Sequence, residues 1–140
     1  MKILIKQVKI IDPSQHFDFI GDILINNNIF IETKPSIKNI DSNTKIIDGK
    51  NFIATPGFVD IHSHLREPGF ENKETIETGS KAAIKGGFTT LCSMPNTEPI
   101  QDNPDIIKKT LNIKNSSNID IHPIGAVSKK QEGKQIVDMK

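Results

Sequence analysis

The pattern that most constrains this chain is an alternation of apolar strands and helical segments beginning at Pro56. Residues 58–62 read as a buried strand. Residues 71–87 read as a helix, with acidic residues early, Lys81 and Lys85 late, and Gly86-Gly87 as its stop. Residues 88–94 (FTTLCSM) form a second β-rich run that ends at Pro95. Asn103 is placed to cap a second helix, with Pro104 at its first position, and that helix is expected to run to about residue 115. Residues 119–125 are a third strand, and a third helix is expected from Gln135 onward. Strand, helix, strand, helix, strand is a run of βα units, which implies parallel pairing with the helices outside. Sheets of this kind carry their chemistry at the carboxyl ends of the strands.

The residues before this alternation read differently. Residues 2–11 are rich in Ile, residues 21–31 alternate around the Asn26-Asn27-Asn28 turn, and residues 45–54 form a short-strand region around Asp48-Gly49. Short strands joined by turns suggest a small sheet or half-sandwich, so the chain divides into a β segment at 1–55 and a βα segment at 56–140. With 18 basic and 17 acidic residues in no large block, charge gives no reason to expect nucleic acid or a membrane surface as partner. The single cysteine, Cys92, excludes an internal disulfide and fits a reducing compartment. Lysines at positions 2, 6 and 9 interrupt the apolar amino terminus, which therefore lacks the pattern of a signal peptide, and a cytoplasmic protein is expected.

Chemistry concentrates in residues 55–69, TPGFVDIHSHLREPG. Residues two apart on a strand share a face, so Asp60, His62 and His64 project together. Two imidazoles converging from one strand end can hold a zinc-like ion, and an arginine just beyond them, Arg66, can hold an anion. The plainer readings are a satisfied histidine pair and a surface arginine; the strand end and the clustering favour the site. Asp60 suits a supporting hydrogen bond or a local backbone cap. Asn96, in SMPNTEP, is by itself an ordinary turn residue, and its interest is that the second strand carries it to the same sheet edge. Cys92 reads as a small buried hydrophobe, His122 as a packed structural residue and His16 as a solvated loop residue. A phosphate-cradling glycine loop and a CxxC pair are both absent from the sequence.

PGFVDIHSHLREPG, KETIETGSKAAIKGGFTTLCSMPNT and IHPIGAVSKKQEGKQIVDM together closely resemble the amino-terminal part of bacterial dihydroorotases, members of the amidohydrolase superfamily. The resemblance covers residues 50–140, and the preceding strands match the family's leading β segment in position and character. It implies an α/β fold: the first three or so βα units of a (β/α)8 barrel, preceded by part of a small β-sandwich. It implies zinc, two ions in the complete enzyme, with His62 and His64 as metal ligands and His64, Leu65, Arg66 and Asn96 as substrate-binding residues. The implied reaction is the reversible hydrolysis of dihydroorotate to N-carbamoyl-L-aspartate in pyrimidine biosynthesis, with the metal polarising the ring carbonyl and an aspartate beyond Lys140 moving the proton. A second copy of the chain or aspartate carbamoyltransferase are the macromolecular partners it implies.

Allantoinases and dihydropyrimidinases share the histidine pair; Arg66 and Asn96 together favour a substrate with a carboxylate. Inactive dihydroorotase-like scaffolds often lack the pair, which is kept here. A complete barrel needs about 250 residues, and a catalytic zinc takes at least three protein ligands. The 140-residue chain is therefore expected to be an incomplete enzyme, inactive and poorly stable alone.

Overall fold

The structure, a computed structural model, describes residues 1–113 and 119–139. They form two compact units, Met1–Pro56 and Gly57–Lys140, each with its own apolar core.

In the first unit β1 (Lys2–Asp12) is the central strand. It pairs antiparallel with β2 (Phe17–Asn26), which pairs antiparallel with β3 (Ile29–Lys34); β4 (Lys45–Asp48) and β5 (Ile53–Ala54) both run parallel to β1. The β2–β3 turn is at Asn27 and Asn28, with φ of 49° and 65°, a left-handed pair that asparagine tolerates well. Strand β2 begins earlier than the alternation from Gly21 suggests, because His16, at φ 58°, reverses the chain straight out of the turn at Pro13–Gln15. That turn is capped by Asp12, whose carboxyl lies below its ordinary range because the Ser14 hydroxyl, then the Gln15 amide, donate to it. Val8, Ile10 and Ile23 form the core, flanked by Ile5, Phe17, Phe19, Ile25 and Ala54. The β1 register shifts between Ile5 and Val8. There the Gln7 N–H donates to Asp22 Oδ1 (3.0 Å), while Asp22 Oδ2 accepts from the Ile37 N–H (2.9 Å). Asp22 is only 3% exposed, so two backbone donors satisfy a buried carboxylate and tie the irregular stretch to the segment after β3.

In the second unit β6 (Phe58–Ser63), β7 (Phe88–Ser93) and β8 (Asp120–Pro123) form a parallel sheet in the order β6-β7-β8. The connecting helices are α1 (Ile76–Lys85) and α2 (Pro104–Leu111). Leu65, Ile76, Leu91 and Ile119 make the core, with Ala83, Phe88, Ile113 and Ile121 packed against it. Among the described residues no helix is long and apolar enough to cross a membrane.

Several details correct the sequence expectations. Helix α1 starts at Ile76, not near residue 71, because Thr75 and Thr78 cap it reciprocally, each hydroxyl accepting the other's backbone N–H at 3.1 Å. Helix α2 has the predicted Asn103 cap but ends at Leu111; the expectation for residues 114 and 115 falls outside the described residues. Among the described residues no helix follows Gln135. Ser128 instead bridges Ile136 antiparallel, and the chain reverses at Gly133 (φ 71°), whose N–H donates to Ser128 Oγ (2.8 Å). Strand β6 is not buried: Phe58, Val59 and Ile61 are 49%, 58% and 74% exposed, because among the described residues little covers the sheet faces from which their side chains project. His122 is exposed on β8, an edge strand, and is paired in register with Cys92 rather than packed in a core. Cys92 itself is only half-buried.

Candidate metal site

Strands β6 and β7 are brought close from their first residues. A Cβ on Gly57 would collide with the Thr89 side chain, and the Phe58 N–H donates to the Gly87 carbonyl (2.9 Å). At their carboxyl ends the Ser63 carbonyl accepts from the Met94 N–H (2.8 Å), and Ser63 Oγ donates to the Cys92 carbonyl (3.1 Å). Similarly, the Ser93 carbonyl accepts from the Ile124 N–H (2.9 Å), so the three strand ends lie side by side.

His62 and His64 emerge at this edge, exposed, with ring centroids 5.3 Å apart and planes inclined at 61°. The Asp60 carboxylate accepts the His62 backbone N–H (3.0 Å), which makes Asp60 a local cap. Nδ1 of His64 lies 2.8 Å from Oδ1 of Asn96, so the structure brings together the two loops that strand spacing assigned to one sheet edge. Arg66 follows at φ 64°, a left-handed conformation that arginine adopts at some cost, and its side chain is half-buried. The Leu65 side chain is 4% exposed in the core, which leaves its main chain for any substrate contact.

Residues that the sequence reading did not single out hold these loops. The Glu98 N–H donates to the Pro68 carbonyl (2.9 Å), and Gly69, at φ 99°, fits so tightly that a Cβ there would collide with the Glu98 carbonyl. Glu67 accepts the first N–H of α1, at Ile76 (2.8 Å). Glu71 accepts from the Gly69 N–H, which holds its carboxyl below the ordinary range. Thr97 donates through Oγ1 to the Pro99 carbonyl (2.8 Å), and the fully buried Gln101 donates through Nε2 to the Met94 carbonyl (3.2 Å). Glycine at position 69, inside REPG, is the one sequence signal that pointed to such packing. Gly69→Ala is expected to destabilise the second unit by about 1–3 kcal/mol, read as a lower urea midpoint, because it adds both a collision and a strained φ.

The donor chemistry fits a divalent ion of zinc's kind: two imidazoles at a strand end, solvent-accessible, with a carbonyl oxygen on the outer ring nitrogen of one of them. Among the described residues no group of three or more His, Cys, Asp or Glu gathers around them, so an ion here would meet two imidazoles from these residues.

A β-sheet unit followed in the chain by parallel βα units, with polar residues at the strand ends, is the order in which a (β/α)8 hydrolase barrel with a leading β segment begins. The solved structures agree in fold. The L-hydantoinase (dihydropyrimidinase) of Arthrobacter aurescens superposes with a TM-score of 0.72 at 22% identity, over 90% of this chain and 28% of that one. A crystal structure of a dihydroorotase superposes with a TM-score of 0.55 at 18% identity, over 91% and 32%. The family model for dihydro-orotase-like proteins matches residues 51–140, and the chain belongs to that family. The dihydroorotase of Elusimicrobium minutum (strain Pei191) is 49% identical over 143 residues, covering 97% of this chain and 31% of the relative. That of Syntrophus aciditrophicus (strain SB) is 41% identical over 139 residues, covering 99% and 33%. The chain thus spans about a third of the length of the curated relatives it matches.

Proposed function

We propose that this chain is the amino-terminal part of a zinc-dependent cyclic amide hydrolase that converts dihydroorotate and water reversibly to N-carbamoyl-L-aspartate in pyrimidine biosynthesis. The observation that carries this reading is the convergence of His62, His64 and Asn96 at the ends of β6 and β7, with Arg66 two residues beyond the histidine pair. His62 and His64 would hold the ion. When bound, zinc supplies Lewis-acid polarisation of the ring carbonyl and a more acidic water. Arg66 is suited to the substrate carboxylate because a planar guanidinium can donate two parallel hydrogen bonds to it. The Asn96 amide would add a directed donor to the same carboxylate. Further metal ligands and the group that moves the proton are expected from residues outside this chain.

Arg66→Ala tests the substrate assignment in the protein as its native gene encodes it. Dihydroorotate binding should weaken by about tenfold to a hundredfold, the worth of a hydrogen bond to a charged group, while bound zinc stays unchanged. Unaltered dihydroorotate affinity would show that the carboxylate is held elsewhere. A second reading, hydrolysis of a dihydropyrimidine or hydantoin ring, is favoured by the Thermus D-hydantoinase, 33% identical with a TM-score of 0.54 over 66% of this chain. Parent rings of that kind carry no carboxylate, so Arg66→Ala would leave their turnover intact.

A further inference from the structure

A neutral imidazole carries one N–H and one lone pair, and which nitrogen has which decides whether the ring can bind a metal, and through which atom. At His64 the choice is made by the neighbouring loop. Oδ1 of Asn96 can only accept, so the 2.8 Å contact with Nδ1 is a hydrogen bond when Nδ1 bears the proton. The lone pair is then on Nε2.

We propose that Asn96 is a positioning residue for His64, its amide oxygen fixing the ring in the Nδ1-protonated tautomer that presents Nε2 to a divalent cation. The proposal rests on the reading of His62 and His64 as a metal pair. Its support is the rigidity of the partner as well as the distance. Asn96 is flanked by Pro95, whose carbonyl accepts from the Thr97 N–H (2.9 Å) and the Gln101 N–H (3.2 Å). Thr97 and Gln101 are 4% and 0% exposed, and the Glu98 N–H fastens the loop to Pro68 across the gap. A carbonyl held this firmly constrains the imidazole that donates to it.

The same geometry joins two roles in one side chain. With Oδ1 taken by His64, Nδ2 of Asn96 keeps its two N–H donors for another acceptor, such as an anion. An asparagine can therefore orient a ligand and touch a substrate carboxylate at once. An aspartate would keep the acceptor and lose the donor, so the two roles can be separated by substitution.

The test uses the metal-free protein as its native gene encodes it, labelled with 15N-histidine, at about pH 8 where imidazole is neutral. Long-range proton–nitrogen spectra report which ring nitrogen is protonated, and His64→Gln identifies the His64 signals. Wild type and Asn96→Asp should show Nδ1 protonated; Asn96→Ala should move His64 to the Nε2-protonated form that free imidazole side chains prefer in water. Zinc affinity should fall by about tenfold or more in Asn96→Ala and stay within about twofold of wild type in Asn96→Asp. A wild-type His64 protonated at Nε2 overturns the proposal without any variant. So does an Asn96→Ala chain whose tautomer and zinc affinity are unchanged. If His62→Ala leaves zinc binding untouched, the metal pair fails as a reading, while the tautomer spectra still decide the role of Asn96 toward His64.

Discussion

Replacing His62 by alanine is expected to lower the affinity of this chain for zinc by about a hundredfold, beyond the usual effect of losing an outer hydrogen-bond partner, because it removes one of two converging imidazoles. His62 is exposed; its backbone N–H bond to Asp60 is one alanine keeps, and its ring meets the exposed His64 ring, so unfolding stability should change by no more than about 0.5 kcal/mol. Calorimetric titration with zinc, paired with urea unfolding, measures both quantities on one preparation. His16→Ala is the matched control: an exposed histidine in the other unit, its loss should leave zinc binding as it was. Equal zinc affinity in His62→Ala and wild type would remove the metal from the β6 strand end.

Leu65→Ala should produce the largest loss of stability, about 2–5 kcal/mol in the second unit. The side chain is 4% exposed and packs with Ile76, Leu91 and Ile119. It also lies against Gly79, where a Cβ would come within 2.5 Å of Leu65 Cδ2, so α1 and Leu65 are matched in shape. Alanine would leave a cavity that the surrounding strands close only in part. Leu65 stands between His64 and Arg66 in the chain, so it anchors the backbone of both. Leu65→Met, which nearly conserves volume, should cost less than about 1.5 kcal/mol. A Leu65→Ala chain as stable as wild type would mean that the segment between β6 and α1 is not fastened by this contact.

The convergence at the sheet edge was legible because it follows from strand spacing. Residues two apart at the end of β6 and a polar residue just past β7 must share that edge if the strands are parallel and adjacent. Likewise Asn103-Pro104 declared a helix start, and Asn27-Asn28 a hairpin turn, through local backbone chemistry alone. What could not be read depends on partners distant in sequence. Glu71, read from sequence as part of a helix's first turn, instead accepts from the Gly69 N–H in the loop ahead of α1. The apolar residues of β6 and the histidine of β8 suggested burial; a composition suited to burial does not say whether anything covers the face of the sheet from which a side chain projects. Leu65 sits among polar site residues in sequence, and only the fold of α1 turns its side chain into the core. Lastly, Gln135 onward suggested a helix, but Gly133 and the Ser128 hydroxyl take the backbone into a tight reversal.

His64 and Asn96 are separated by 32 residues, the span of one βα repeat. During synthesis the chain therefore needs only one crossover helix and one added strand before the imidazole can meet its carbonyl partner. Contacts of such short loop length close quickly and at small entropic cost. The contact that orients His64 thus lies within a single βα repeat and draws on no residue beyond it.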